Sequence, residues 1–258
     1  MDKRNQALID LLYQCADDDL LVSFRGSEWL GLAPHIEADV PFSSITQNTM
    51  GHAVYFYRLL QELGEGDVDV LAHERSSVKR RNAVYLEKRN GDGQYDEDPY
   101  FDWALAVVRG YFYETYKRVK LISFTNSSYE PLATCAKRIL PEQRYHLAYW
   151  EEWMKQLQQS SQTAKEKIRT RIKEAWSMSL DLVDFGQYEQ TLLTEGYIND
   201  PNELKQQWLS ELQSKVKDLP TRPLEQVKNG RNGEHTKDLD EALATLSEVY
   251  RTDPVAQW

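Results

Sequence analysis

Residues 141 to 153, PEQRYHLAYWEEW, set Glu142 and His146 one helical turn apart among aromatic rings. A carboxylate and an imidazole on one helix face are ligand types for a first-row metal. Four-helix bundles hold two irons in this way, with a Glu from each of two helices and a Glu-x-x-His pair from each of the other two. Here the spacing is four, and the residue three after Glu142 is Tyr145; a spacing of four still leaves both groups on one face. Plainer roles stand beside this one. His146 also reads as an interior histidine bonded to Tyr145, Tyr149 or Glu142. Glu142 also reads as a buried partner of Arg, His or Tyr, or as a solvated residue.

A complete site needs three more helices to contribute. In TQNTMGH, Asn48 and Gly51 stand where a Glu-x-x-His would be required, and neither side chain can replace an anionic bridge or an imidazole. His52 is adjacent, but Thr49 lies three before it. Glu114 and one of Asp17, Asp18 and Asp19 are the remaining carboxylates, although the acidic run also reads as a solvated helix face and Glu114 as a surface or interface partner of Lys117 or Arg118. The degenerate set is therefore Asp18, Asn48, Gly51, Glu114, Glu142 and His146. Iron held by carboxylates with no second histidine is under-ligated, so the sequence predicts no metal, cofactor or catalytic residue in this chain. It also contains no Gly-rich phosphate loop, nucleophile elbow or Cys-x-x-Cys spacing.

The elements that would carry these residues read as nearly all helix, because apolar residues recur three and four apart. Leu8, Leu12, Cys15, Val22 and Trp29 mark a first helix over roughly 2–30, ended by Gly31 and Pro34. Phe42, Ile45, Ala53, Phe56, Leu60 and Leu63 mark a second over roughly 39–63, and the short link makes the two an antiparallel hairpin. A minor helix near 67–76 and a polar loop, EKRNGDGQYDEDP, lead to a third helix opened by Pro99, apolar nearly all round and thus central. A fourth runs over about 128–158 with Pro141 as a possible kink. Further helices are expected over roughly 161–186, 200–217 and 237–250, with PTRPLEQVKNGRNGEHTKDL as an ordered turn region. Two long hairpins with a longer link between them predict an all-α, ferritin-like four-helix bundle: one domain over 1–258, its core at about 2–158 and additional C-terminal helices from about 161.

Composition narrows the partners. With 31 Lys and Arg against 41 Asp and Glu, the formal charge of −10 disfavours nucleic acid, although Lys79, Arg80 and Arg81 form a local basic cluster. No apolar run approaches the ~18 residues of a membrane span, and the N-terminus turns acidic too early for a signal peptide. Cys15 and Cys135 sit among apolar helical residues and read as small buried hydrophobes in a reducing, cytoplasmic setting.

Three motifs then carry a resemblance. They are Ser27, Glu28, Trp29, Gly31, Ala33, Pro34, Glu37 and Asp39; Glu142, Arg144, Tyr145 and His146; and Gly230, Gly233, His235, Thr236 and Leu239, with Pro254, Gln257 and Trp258 at the end. In these the chain resembles the PaaC family, subunits of the bacterial phenylacetyl-CoA 1,2-epoxidase of phenylacetate degradation; Ser27 stands where that pattern has Gly. The resemblance implies a non-catalytic structural subunit paired with a homologous catalytic one, which keeps the di-iron ligands and binds the CoA thioester. It also allows a homodimer when the chain is expressed alone. Two other readings remain open. One is an oxygenase or ferroxidase using Asp18, Glu114, Glu142 and His146; the other is a regulatory module whose Lys79–Arg81 cluster meets CoA phosphates.

Overall fold

The computed structural model describes residues 3–94, 97–217, 219–220 and 228–256. The chain is all-α and ferritin-like, built on helices α1 (Lys3–Ser27), α2 (Ile36–Glu62), α5 (Trp103–Phe124) and α6 (Glu130–Gln159). Between the two hairpins lie α3 (Val68–His73) and α4 (Val84–Glu87); after them come α7 (Gln162–Met178), α8 (Glu189–Thr194), α9 (Pro201–Lys215), α10 (Lys237–Leu246) and α11 (Glu248–Thr252). Among the described residues no helix is long and apolar enough to cross a membrane.

Start signals are explicit. Asp102 caps α5, its carboxylate accepting from the N–H groups of Ala104 and Leu105; Ser161 caps α7, and Asp200 caps α9 ahead of Pro201. Asp102 also corrects the expected start of the third helix, because Pro99 lies in a strand. The segment expected to be a loop forms an antiparallel pair, β1 (Gly91–Gln94) with β2 (Glu97–Phe101), in which Gly91 faces Phe101 and Asp92 faces Tyr100. Gly93 adopts φ 79° there, and a Cβ on it would meet the Asp98 carbonyl at 2.4 Å. Nothing in the helical period forecasts so short a strand pair.

The fifth expected helix is also shorter than its apolar stripe. It stops at Met178, and a 3₁₀ turn over Leu180–Val183 carries the chain to Gly186 at φ 68°. Pro141 leaves α6 continuous; it sits on the exposed side of the helix, where the carbonyl it cannot serve is not shut away from solvent. Residues 221–227 of the expected turn region, and Gln257 and Trp258, lie outside the described residues.

As its composition demands, α5 is the centre: every residue from Ala104 to Lys117 is buried. Helices α7 and α9 pack on it, and the Trp208 indole N–H donates to the Phe112 carbonyl at 3.2 Å. Two apolar clusters result. One gathers Leu12, Phe56, Phe124 and Leu239, the other Trp29, Phe112, Trp150 and Trp208. Cys15 and Cys135 are free and buried, and burial pushes their thiols up to about 11 and about 12.

The α5–α6 contact is closest at Gly110, where an added Cβ would lie 2.3 Å from the Trp150 indole. That indole is held edge-on by Phe42 and Tyr149 and has nowhere to retreat. Gly110→Ala should therefore cost about 1–3 kcal/mol despite alanine's better helix propensity, lowering Tm by roughly 2–10 °C. Thermal unfolding followed by circular dichroism measures this, and an unchanged or raised Tm would refute the close-packing account.

A buried carboxylate and histidine layer as candidate functional site

The solvated face expected of Asp17, Asp18 and Asp19 is not what the structure shows: all three are at most 1% exposed. Successive helix residues point 100° apart, so the three carboxylates face three directions and each finds a different partner. Asp17 accepts from Tyr57 Oη at 2.7 Å, from Arg75 at 2.8 and 3.0 Å, from Arg80 at 3.1 Å and from the Arg81 amide at 2.8 Å. Burial alone would raise its pKa, but the guanidinium groups of Arg75 and Arg80 prevail and hold the carboxyl down to about 2.

Asp18, the expected inward carboxylate, faces the other way. It takes a two-pronged bond from Arg231 at 2.8 and 2.9 Å and the Ala83 amide at 2.8 Å, with Lys120 at 3.5 Å. Around it the glycine-rich tail straps the 82–87 segment to α1. The Gly230 amide donates to Asp181, His235 Nδ1 bonds Glu87 at 2.7 Å, and Thr236 donates to the same carboxylate through its amide and hydroxyl. A Cβ at Gly230 would fall 1.9 Å from the Asn82 carbonyl, so the strap requires glycine there. The motif thus acts in assembly of the fold. So does the first one, where Trp29 packs on Phe101 and Trp103 and the Gly31 amide donates to Asp39.

Asp19 is the acid that turns into the bundle. Tyr113 Oη donates to it at 2.6 Å, and so does the Lys117 ammonium. Lys117 Nζ also lies 2.9 Å from His52 Nδ1. An ammonium can only donate, so His52 Nδ1 accepts and its Nε2 carries the proton donated to Glu142 Oε2 at 2.9 Å. Burial first, and then the Lys117 charge and His146, push the His52 pKa far below its usual value and keep the ring neutral. Alongside, His146 Nδ1 lies 3.3 Å from Glu114 Oε1, and its Nε2 lies 3.4 Å from the Asn48 amide nitrogen. Burial opposes ionisation of Glu114, but His146 and then Lys117 outweigh it and lower its pKa.

The expected positions therefore divide. Glu114, Glu142 and His146 converge on one layer, with His146 an interior, hydrogen-bonded histidine; its partners are Glu114, Asn48 and Gln143 rather than Tyr145, which is 78% exposed. Glu114 is itself buried, so the surface ion pair with Lys117 or Arg118 is not formed. Asn48 and Gly51 lie on the outer side of α2 because Thr49 and His52 take its inward face. Gln143 was not singled out from the sequence, while Asp19 was one of three acids left open, His52 was set aside for want of a carboxylate three before it, and Lys117 was read only as a partner of Glu114. Spacing held a signal: Thr49 and His52, and Gln143 and His146, are the i, i+3 pairs on the facing helices.

A di-iron centre does not fit these residues. The two places that demand an anionic bridging carboxylate hold Thr49 and Gln143, and a cationic side chain, Lys117, stands between Asp19 and His52. Among the described residues no group of three or more His, Cys, Asp or Glu side chains is placed to hold a metal. The basic cluster is also not an open anion site, since Arg80 is fully buried on Asp17 and Arg81 reaches Asp10 at 3.2 Å.

The sequence profile of the family described as "Phenylacetic acid catabolic protein" matches residues 1–258. A subunit of the 1,2-phenylacetyl-CoA epoxidase of Escherichia coli (strain K12) is 30% identical over 247 residues, covering 94% of this chain and 95% of that one.

A carboxyl whose folded pKa is depressed gives stability that is present above its unfolded value and lost as pH falls through the folded one. For Asp17, between 3.8 and about 2, that amounts to roughly 2 kcal/mol. Asp17→Asn should be destabilised at neutral pH, and its unfolding free energy should change less than the wild type's between about pH 4 and pH 2. Denaturant melts across that window test this; parallel pH profiles would refute it.

Proposed function

Because the chain belongs to the phenylacetic acid catabolic protein family, we propose that it is a non-catalytic, structural subunit of a phenylacetyl-CoA epoxidase in the cytoplasm. A homologous subunit would carry the metal and the reaction. The observation that carries this reading is Lys117 lodged between Asp19 and His52, with Thr49 and Gln143 where bridging carboxylates are needed. Metal analysis of the purified chain, alone and with the catalytic subunit, tests it. Negligible iron in the chain and stoichiometric iron in the complex are expected, whereas stoichiometric iron with a di-ferric absorption band in the chain alone would overturn the reading.

The outer face of α2 and α6 supports a partner. Residues 40–57 contain no Asp, Glu, Lys or Arg, yet Val40 is 57% exposed and Gly51 lies exposed in mid-helix. On α6, Tyr145 adds a 78% exposed aromatic ring. A solvated helix face is normally charged, whereas depletion of charge with aromatic enrichment marks the core of an interface. An exposed helical glycine is otherwise unfavourable, and it lets a partner helix approach closely. The catalytic subunit is assigned to this face, and a second copy takes it when the chain is alone.

Nothing lies within 4 Å of a Cβ added at Gly51, so Gly51→Glu should keep or raise the stability of the isolated chain. The same change should weaken the complex by about 100-fold or more, as expected at the centre of an interface. Isothermal titration of the two subunits, beside a thermal melt of the variant, separates docking from folding. An unchanged Kd would remove this face from the proposal.

A further inference from the structure

The di-iron frame has not simply lost its metal. We propose that the Lys117 ammonium is a tethered cation occupying a metal's place, so that the layer remains a cation site for which Lys117 is the resident occupant. The inference rests on the isolated chain and does not depend on the partner.

Three observations converge. Lys117 Nζ bonds a carboxylate oxygen and an unprotonated imidazole nitrogen, Asp19 Oδ1 and His52 Nδ1; these are ligand atoms of the kind a divalent first-row ion takes. A carboxylate and a neutral imidazole nitrogen aimed at one point make a site for positive charge, and an ammonium is the cation that a polypeptide can supply for itself. Next, Asp19 Oδ2 and Glu114 Oε2 are buried and accept no hydrogen bond from the protein, as is Gln143 Oε1. Buried acceptors left without a donor are costly, and one of them belongs to Asp19, the carboxylate that Lys117 bonds. Lastly, Glu114 stands one turn before Lys117 on α5, and the His52 and His146 rings are 6.0 Å apart, so two carboxylates and two imidazoles face the layer from four helices.

A point charge explains the geometry better than a neutral hydrogen-bond donor would. Lys117 is 2% exposed, with its stem beside Tyr113 and its ammonium 5.6 Å from that ring's centroid. A charge so far from water is retained only where opposite charge and lone pairs surround it. Its tether is covalent, so no free ion at cellular concentration displaces it. The layer is then complete without metal, because the ammonium fills the point at which Asp19 and His52 converge.

The test uses the full-length chain and Co²⁺, whose ligand-field bands report histidine and carboxylate ligation directly. Wild type should bind no cobalt, and its Tm should be indifferent to cobalt or chelator. Lys117→Met should lower Tm by on the order of 10 °C in chelator. Co²⁺ should restore much of that loss with one ion bound per chain, and His52→Ala in the same background should abolish uptake. Lys117→Arg should bind no cobalt. If Lys117→Met folds but takes up no cobalt, or stays unfolded whether or not cobalt is present during refolding, the proposal fails, because a free cation would not replace the tethered one. Uptake of cobalt by the wild type would overturn it equally.

Discussion

A carboxylate removed from water must be given positive charge or donors, and three consecutive carboxylates on one helix must be given them in three directions. This constraint organises the molecule. Asp17 draws in the Arg75–Arg81 segment, Asp18 the strap from Gly230 to Thr236, and Asp19 the side chain of Lys117 from the central helix. The additional C-terminal elements are thus held by the same turn of α1 that faces the bundle interior. Apolar packing on either side supplies the bulk of the stability, while the acidic turn decides which segments lie where.

The helical framework was legible from sequence because it rests on periodicity, which each helix carries within itself. Boundaries for α1, α2, α6 and α9 followed from apolar stripes, prolines and capping acids. The β1–β2 pair and the 3₁₀ turn after Met178 were not legible, since both are fixed by contacts remote in sequence. The polar layer was half legible. Glu114, Glu142 and His146 were visible as ligand types, but the orientation of Asp17 to Asp19 depends on a bundle whose outer side is wrapped by later segments. A run of acids reads as solvated unless the wrapping cations are known, and Arg231 lies 213 residues from Asp18.

The motifs are themselves instructive, because several of their residues bond one another or backbone and so fasten one segment to the next. Glu28 accepts from Arg25 and Asn90, His235 and Thr236 from opposite sides satisfy Glu87, and Gly230 gives room to the Asn82 carbonyl. Such motifs record how a fold is fastened. The interior pairs Thr-x-x-His and Gln-x-x-His keep a histidine on each facing helix and set a neutral residue three before it.

The strap has one more consequence, in the order of synthesis. Asp18 leaves the ribosome near the start of the chain, and the guanidinium that neutralises it follows 213 residues later. Until Arg231 has been made, α1 carries an acid whose final surroundings are incomplete, so the contact that fastens the strap to α1 is among the late ones to form. A chain truncated before Arg231 keeps α1, α2, α5 and α6 but leaves Asp18 with only the Ala83 amide and Lys120.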